Sequence, residues 1–143
     1  MFLVFPDSAA IAAHLSARLQ EIIRQDPQAT LGLATGGTME PVYARFVQDV
    51  RANGLDVSKI NSFNLDEYVG LAAAHEQSYA YYMRQHLFGQ LPFDAARLHL
   101  PNGLTQELEQ HCQDYSAAIA ASGGVALQLL GVGTNGHIGF NEP

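Results

Sequence analysis

The stretch TLGLATGGT, residues 30–38, decides the fold of this 143-residue chain. Its first five residues are a short, largely apolar run that predicts a buried β-strand. Two glycines follow and permit a tight turn, and Val42, Phe46 and Val50 then recur at the spacing of one helix face. A strand that passes through a glycine-rich turn into a helix is typical of a parallel α/β sheet.

Strand-like runs alternate with helical segments on both sides of this unit. Further strands are predicted at residues 2–5, 59–65, 97–100 and 125–130, and further helices after residue 7, over residues 78–88 and from residue 108 to the glycine pair at 123–124. Asp7 or Ser8 is placed to cap the first helix. The residues of that helix predicted to face the sheet are Ile11, Leu15, Leu19 and Ile22. The alternation predicts a Rossmann-like parallel sheet with helices on both faces.

Composition and charge limit the classes of function. With 48% hydrophobic residues, the chain has enough apolar side chains for one core, and its length is that of a single domain. The formal net charge is −7 and the basic residues are scattered, which argues against a surface for nucleic acid or anionic membranes. No apolar run approaches the roughly 20 residues that span a bilayer, and the N-terminus lacks the features of a signal peptide. A cytoplasmic location is therefore expected.

The sequence contains one cysteine, Cys112. A single cysteine excludes an internal disulfide. Cys112 shares a helical stripe with Leu108, Tyr115 and Ile119, and this position predicts a small, buried core residue.

The segments that follow the strands are the candidates for a site, because parallel sheets bind ligands beyond the carboxyl ends of their strands. The first such segment is Thr35-Gly36-Gly37-Thr38. Its glycines allow close approach of a ligand, and the helix that follows presents unpaired N–H groups to an anion such as phosphate. A tight turn without a ligand is the alternative interpretation.

Two adjacent carboxylates, Asp66 and Glu67, leave the end of the predicted strand at 59–65. Because side chains alternate at a strand end, one carboxylate is expected to face the crevice while the other binds neighbouring backbone. A partly desolvated carboxylate in the crevice can act as a general base. A helix cap or a solvated turn is the alternative interpretation of the pair.

The last segment, residues 131–143, carries four glycines and a histidine directly after an apolar run. Asn135, His137 and Glu142 supply an amide, an imidazole and a carboxylate close together in sequence. A carboxylate that orients a histidine makes the ring a usable acid or base near neutral pH. We therefore interpret this loop as a second source of acid–base groups.

Together, TGGT at 35–38, FNLDEYVGL at 63–71 and GHIGFNEP at 136–143 resemble the glucosamine-6-phosphate deaminase family in order and spacing. The resemblance extends over nearly the whole chain, including the tyrosine-rich helix from residue 78. It implies conversion of a small-molecule substrate, glucosamine 6-phosphate, to fructose 6-phosphate and ammonia, without a metal or organic cofactor. Family members differ in oligomeric state, so a homo-oligomer is one of the expected forms.

The resemblance also implies residue roles. Asp66 would remove the C2 proton and return it at C1, and His137 would open the sugar ring. Asn135 and Glu142 would orient His137. The residues expected to bind the phosphate and the sugar are Thr35, Gly36, Gly37, Thr38, Glu67 and Gly136.

The resemblance implies that residues 1–143 form a single sugar-phosphate isomerase/deaminase domain that is incomplete. Family members continue beyond Pro143, and we expect that part to supply the cations that clamp the phosphate. Because the net charge is −7, this chain alone is expected to bind sugar phosphates poorly.

Two alternatives share the expected fold. A 6-phosphogluconolactonase-like hydrolase would be expected to have a serine in the glycine turn, arginine after the Asp-Glu pair and aspartate before Gly-His, where this chain has Thr35, Tyr68 and Asn135. A non-catalytic sugar-phosphate sensor would be expected to lack the base or the histidine, and this chain has both. The tyrosine stripe within residues 78–88 is interpreted as core or subunit packing.

Overall fold

A computed structural model describes residues 2–143 of the chain as alternating strands and helices. The helices are α1 (Ser8–Gln25), α2 (Glu40–Asn53), α3 (Tyr79–Met83) and α4 (Leu108–Ala121). The strands are β1 (Thr30–Leu33), β2 (Asn61–Asn64), β3 (Leu98–His99) and β4 (Leu127–Gln128). A π-helical segment, Arg84–Phe88, continues α3, and one 3₁₀ turn, Ala95–Arg97, leads into β3.

The four strands form one sheet in the order β3-β2-β1-β4, and every pairing is parallel. β1 therefore has β2 on one side and β4 on the other, so the strand order reverses beside β1. Such a topological switch point leaves a crevice at the carboxyl ends of the strands. The predicted Rossmann-like fold class is confirmed.

Helices α1 and α2 cover one face of the sheet. Leu31 and Leu33 of β1 point into a core that also contains Phe46 of α2 and Leu87 of the π-helical segment. α2 carries proline in its first turn and ends at Gly54, whose φ of 61° lies in the left-handed region that favours glycine. The predicted helix from the glycine turn to residues 53–54 is confirmed.

Helix α4 lies against the opposite face. Phe63 of β2 packs edge-on against Tyr115 of α4, with ring centroids 5.5 Å apart. The Tyr115 hydroxyl donates to the carbonyl oxygens of Asn64 and His99, at 2.8 and 3.1 Å. The two sheet faces are thus both covered by helix, as the alternating pattern predicts.

Residues 2–5 do not form the predicted strand. Phe2 and Val4 are almost fully exposed, and within residues 2–143 this segment makes no backbone hydrogen bond to the sheet edges β3 and β4. β-Propensity alone cannot form a strand without a neighbouring strand to satisfy its backbone groups.

The predicted inward face of α1 is also partly wrong. Leu19 is buried, but Ile11 is 41% exposed, and the buried stripe instead includes Ser16 and Gln20. These polar side chains face α2, where Ser16 donates to Asp49 at 2.7 Å and Gln20 accepts from Asn53 at 2.7 Å. Because side chains of α2 provide hydrogen-bond partners for Ser16 and Gln20, these polar residues can be buried. Helix α1 can therefore turn them toward α2 and need not present only its most apolar stripe to the sheet.

Cys112 is exposed, contrary to the prediction of a core position. The partly buried stripe of α4 consists of His111, Tyr115 and Ile119. Cys112 is one residue beyond this stripe and lies outside it. Tyr115 fixes this rotation of α4 because its hydroxyl donates hydrogen bonds to the sheet backbone. Among residues 2–143, no helix combines the length and the apolar character needed to span a membrane.

Candidate active site

A cavity of about 250 Å³ lies at the carboxyl ends of β1, β2 and β4. The turn after β1 forms one wall, Leu65 and Asp66 after β2 form another, and residues 131–139 after β4 close the third. Tyr79 of α3 completes the lining. The cavity is thus at the switch point of the sheet, where the strand order reverses.

The glycine turn brings the open end of α2 to this cavity. Gly36 has a φ of 101°, a conformation that side chains disfavour, and neither Gly36 nor Gly37 adds a side chain to the wall. Tyr82 donates to the carbonyl oxygen of Gly36 at 2.8 Å and holds the turn from the α3 side. Met39, at the N-cap of α2, offers no side-chain cap, so first-turn N–H groups are left for an anion.

Asp66 and Glu67 point in different directions, as the sequence predicts. Asp66 lines the cavity, whereas Glu67 accepts hydrogen bonds from the backbone N–H groups of Tyr68, Tyr79 and Ala80, at 2.8, 2.9 and 2.9 Å. Glu67 was expected to contact the ligand, but in the structure it lies outside the cavity wall. Its carboxylate instead joins the loop after β2 to the first turn of α3.

Burial raises the pKa of Asp66 above the ordinary value of 3.8, and the negative charge of Glu67 raises it further. The nearby backbone N–H of Phe140 opposes part of this increase in pKa. A carboxylate with a raised pKa is a stronger base than an exposed aspartate.

His137 is the imidazole of the cavity wall, and a chain of polar groups orients it. Its Nδ1 lies 2.6 Å from Oδ1 of Asn135, and Nδ2 of Asn135 donates to Glu142 at 2.7 Å. Because Nδ2 of Asn135 faces Glu142, Oδ1 is the atom that meets the ring, and Nδ1 carries the hydrogen. Nε2 is then free to accept a proton.

The local backbone explains why this loop is rich in glycine. Gly133 N–H donates to the carbonyl oxygen of His137 at 2.8 Å, and the imidazole ring lies so close to Gly133 that a Cβ there would overlap it. Gly136, with a φ of 93°, makes the turn between Asn135 and His137. Gly133 therefore leaves room for the imidazole ring of His137, and Gly136 allows the backbone to turn between Asn135 and His137.

The structure brings six of the predicted site residues to one cavity. These are Thr35, Gly36, Gly37, Thr38, Asp66 and His137. Asn135 and Glu142 lie behind His137 and reach the cavity only through it. Gly136 and Glu67 lie outside the cavity wall. Gly136 makes a turn of the backbone, and Glu67 accepts hydrogen bonds from backbone N–H groups.

Tyr79 is the wall residue with a polar side chain that the sequence interpretation missed. The tyrosine-rich helix contains Tyr79, Tyr81 and Tyr82, and the residues of it that are fully buried are Met83 and Leu87. No local pattern separates Tyr79 from its neighbours. What places it in the cavity is the long-range contact between Glu67 and the start of α3.

A parallel sheet with a carboxylate, an oriented imidazole and an open helix end around one cavity defines an α/β protein with an acid–base site for an anionic ligand. A family model described as glucosamine-6-phosphate isomerases/6-phosphogluconolactonase matches residues 7–139. The chain belongs to this family.

Curated relatives are similar over nearly the whole chain. Glucosamine-6-phosphate deaminase of Rhodopirellula baltica is 51% identical over 140 residues, covering 98% of this chain and 56% of the relative. The deaminase of Shouchella clausii is 50% identical over 128 residues, covering 90% and 52%. The chain thus spans about half the length of the curated relatives it matches.

Solved structures agree with the fold. A monomeric glucosamine-6-phosphate deaminase matches with a TM-score of 0.92 and 36% identity, covering 96% of this chain and 57% of that one. A 6-phosphogluconolactonase from Thermotoga maritima matches with a TM-score of 0.77 and 19% identity, covering 96% and 61%. The second similarity shows a shared fold alone.

Proposed function

We propose that the protein containing this chain is a glucosamine-6-phosphate deaminase, which converts glucosamine 6-phosphate to fructose 6-phosphate and ammonia. The observation that carries the proposal is that Asp66 and His137 face one cavity beside an anion-binding turn. The identity of about 50% to proteins named as this deaminase supports it.

His137 serves ring opening in the proposed mechanism. Its Nε2 accepts the proton of the anomeric hydroxyl and delivers a proton to the ring oxygen, so that the C1–O bond of the ring breaks and an aldehyde forms. The hydrogen bond from Nδ1 to Asn135 holds the tautomer that this step needs. Glu142 acts through Asn135, because its Oε1 is 3.8 Å from Nδ1 while its Oε2 binds the amide.

Asp66 serves the proton transfer between carbons. It removes the C2 proton of the open-chain aminoaldehyde while the C1 oxygen takes up a proton, giving an enolamine, and it returns the C2 proton at C1 as the nitrogen loses a proton. The resulting imine at C2 is hydrolysed by water to the ketone and ammonia. The turn at residues 35–38 and the N-terminus of α2 hold the phosphate meanwhile.

The test measures ammonia and fructose 6-phosphate released from glucosamine 6-phosphate by the natural full-length protein and by its Asp66→Asn variant. We expect the variant to lose about a thousandfold in kcat, since an amide cannot accept the C2 proton. Asp114→Asn, on the exposed surface of α4, is the matched control and should retain the parent rate.

The pH profile gives the second arm of this test. Because the base must be ionised, activity is expected to fall as the pH decreases through the raised pKa of Asp66, at a pH above 3.8. A parent protein that leaves glucosamine 6-phosphate unchanged, but hydrolyses a sugar lactone or only binds sugar phosphates, contradicts the proposed function.

A further inference from the structure

Tyr79 lines the same cavity as Asp66 and the turn that begins with Thr35, to which the proposed function assigns C2 and the phosphate of the substrate. Thr35 and Asp66 are both near enough to the phenol to act on its pKa. The Tyr79 hydroxyl donates to Tyr68, 3.4 Å away. That long distance leaves the phenol able to turn to a stronger acceptor.

The ring of Tyr79 is held independently of its hydroxyl. It stacks on Phe140, with centroids 5.6 Å apart, and packs at 5.0 Å against the ring of Tyr68. These contacts join the loops after β2 and β4 to α3. A phenylalanine at this position would keep the ring contacts and lose only the polar atom.

Glu67 fixes the backbone from which Tyr79 projects. Its Oε1 accepts from the N–H of Tyr79 and its Oε2 from the N–H of Ala80, both at 2.9 Å. Asp66 precedes Glu67 directly in the chain, so the loop that carries the proposed base is also the loop that holds the start of α3.

We propose that the Tyr79 hydroxyl is a substrate-binding group that donates a hydrogen bond to a sugar hydroxyl between C2 and the phosphate, and that Glu67 is its positioning residue. This inference rests on the proposed function, which puts C2 at Asp66 and the phosphate at the turn beginning with Thr35. Tyr79 lines the cavity together with both positions, and the carbons that lie between them carry hydroxyl groups.

The charge state of Tyr79 fits this role. Burial raises the pKa of the phenol, and the nearby Tyr68 and Asp66 raise it further. The hydroxyl therefore keeps its proton at neutral pH, well below even the ordinary value of 10.0. It can donate to the sugar without adding a negative charge beside the phosphate.

Steady-state kinetics of the natural full-length protein with glucosamine 6-phosphate test the inference through Tyr79→Phe. We expect kcat/KM to fall about fivefold to tenfold, the effect of one neutral hydrogen bond, with an unchanged melting temperature. Tyr81→Phe is the matched control, since Tyr81 lies on the same helix, outside the cavity wall, against Arg84. Its kcat/KM should equal that of the parent.

A double-mutant cycle tests the positioning role. Glu67→Gln, measured at a pH where Asp66 is fully ionised, should also lower kcat/KM, because an amide cannot accept from all three N–H groups. In a Tyr79→Phe background the same change should have an effect at least threefold smaller, since the two residues act through one contact. Equal effects in both backgrounds would assign Glu67 a structural role alone.

The outcomes separate the inference from the function on which it rests. If the parent is active and Tyr79→Phe matches it within twofold, the inference is wrong and the proposed function stands. If the parent releases no ammonia from glucosamine 6-phosphate, the proposed function is wrong and the inference falls with it. Loss of activity in Tyr79→Phe but not in Tyr81→Phe supports both.

Discussion

Gly139 lies where the loop after β4 meets the loop after β2. Its φ is 59°, and a Cβ there would lie 2.7 Å from Cδ2 of Leu65 and 3.0 Å from Oδ2 of Asp66. The backbone N–H of the next residue, Phe140, lies near enough to the carboxylate to lower the pKa of Asp66. A glycine at 139 therefore lets the histidine loop approach the proposed base closely.

Gly139→Ala is expected to lower kcat/KM by tenfold or more, because the new methyl group would push the Asp66 carboxylate from its place. Gly123→Ala is the control: Gly123 has a φ of 87° and open space around its Cα. Both variants should lose about 1–2 kcal/mol of stability from the backbone conformation. Kinetics and urea unfolding of the same samples check the result. A similar loss of activity in both variants contradicts the role of Gly139.

At the scale of an element, helix α1 shows which of two adjacent polar residues caps the helix. The sequence left Asp7 and Ser8 open as alternatives, and the structure assigns the cap to Asp7, whose side chain accepts from the N–H of Ala10 at 2.8 Å. Ser8 is the first residue within the helix. Only a residue with extended backbone, as Asp7 has, can turn its side chain back to the first-turn amides.

Asp7→Ala is expected to lower the free energy of unfolding by about 1 kcal/mol, whereas Ser8→Ala should change it by less than about 0.5 kcal/mol. Urea denaturation followed by circular dichroism measures both. Neither residue lines the cavity, so the kinetic constants should stay at the parent values. A larger effect at Ser8 than at Asp7 would contradict the assigned cap.

At the scale of the whole molecule, charge opposes the proposed ligand. The formal net charge is −7, and among residues 2–143 the wall of the cavity contains neither lysine nor arginine. Backbone N–H groups at the turn and at the start of α2 are therefore the donors that this chain offers to a phosphate. The long-range field of the chain acts against them.

For the 143-residue chain we expect fructose 6-phosphate to bind only in the millimolar range, and more tightly as salt increases. Raising the ionic strength from about 0.01 M to 0.1 M shortens the screening length from about 30 Å to 10 Å and weakens the repulsion. Titration followed by NMR, with uncharged fructose as the salt-insensitive control, measures the effect. Weaker binding at higher salt would point to a direct cation contact and contradict the expectation.

The alternation of short apolar runs and helical periods was sufficient to predict the parallel sheet and its helices. These features are local, since they depend on spacing and turn chemistry. Residues 2–5 show the limit of such patterns, because a strand exists only where another strand satisfies its backbone. Ser16 and Cys112 show a second limit: the rotation of a helix depends on the partner it meets.

By itself, then, the sequence determined the fold class and the motifs that carry the candidate chemistry, because both depend on residues close together in the chain. The tertiary structure decided which carboxylate faces the cavity, and it added Tyr79 to the wall. The strand-end pattern does not distinguish Asp66 from Glu67, and it is the amides of α3 that hold Glu67 away from the cavity. Contacts between distant segments set such orientations, and no local pattern records them.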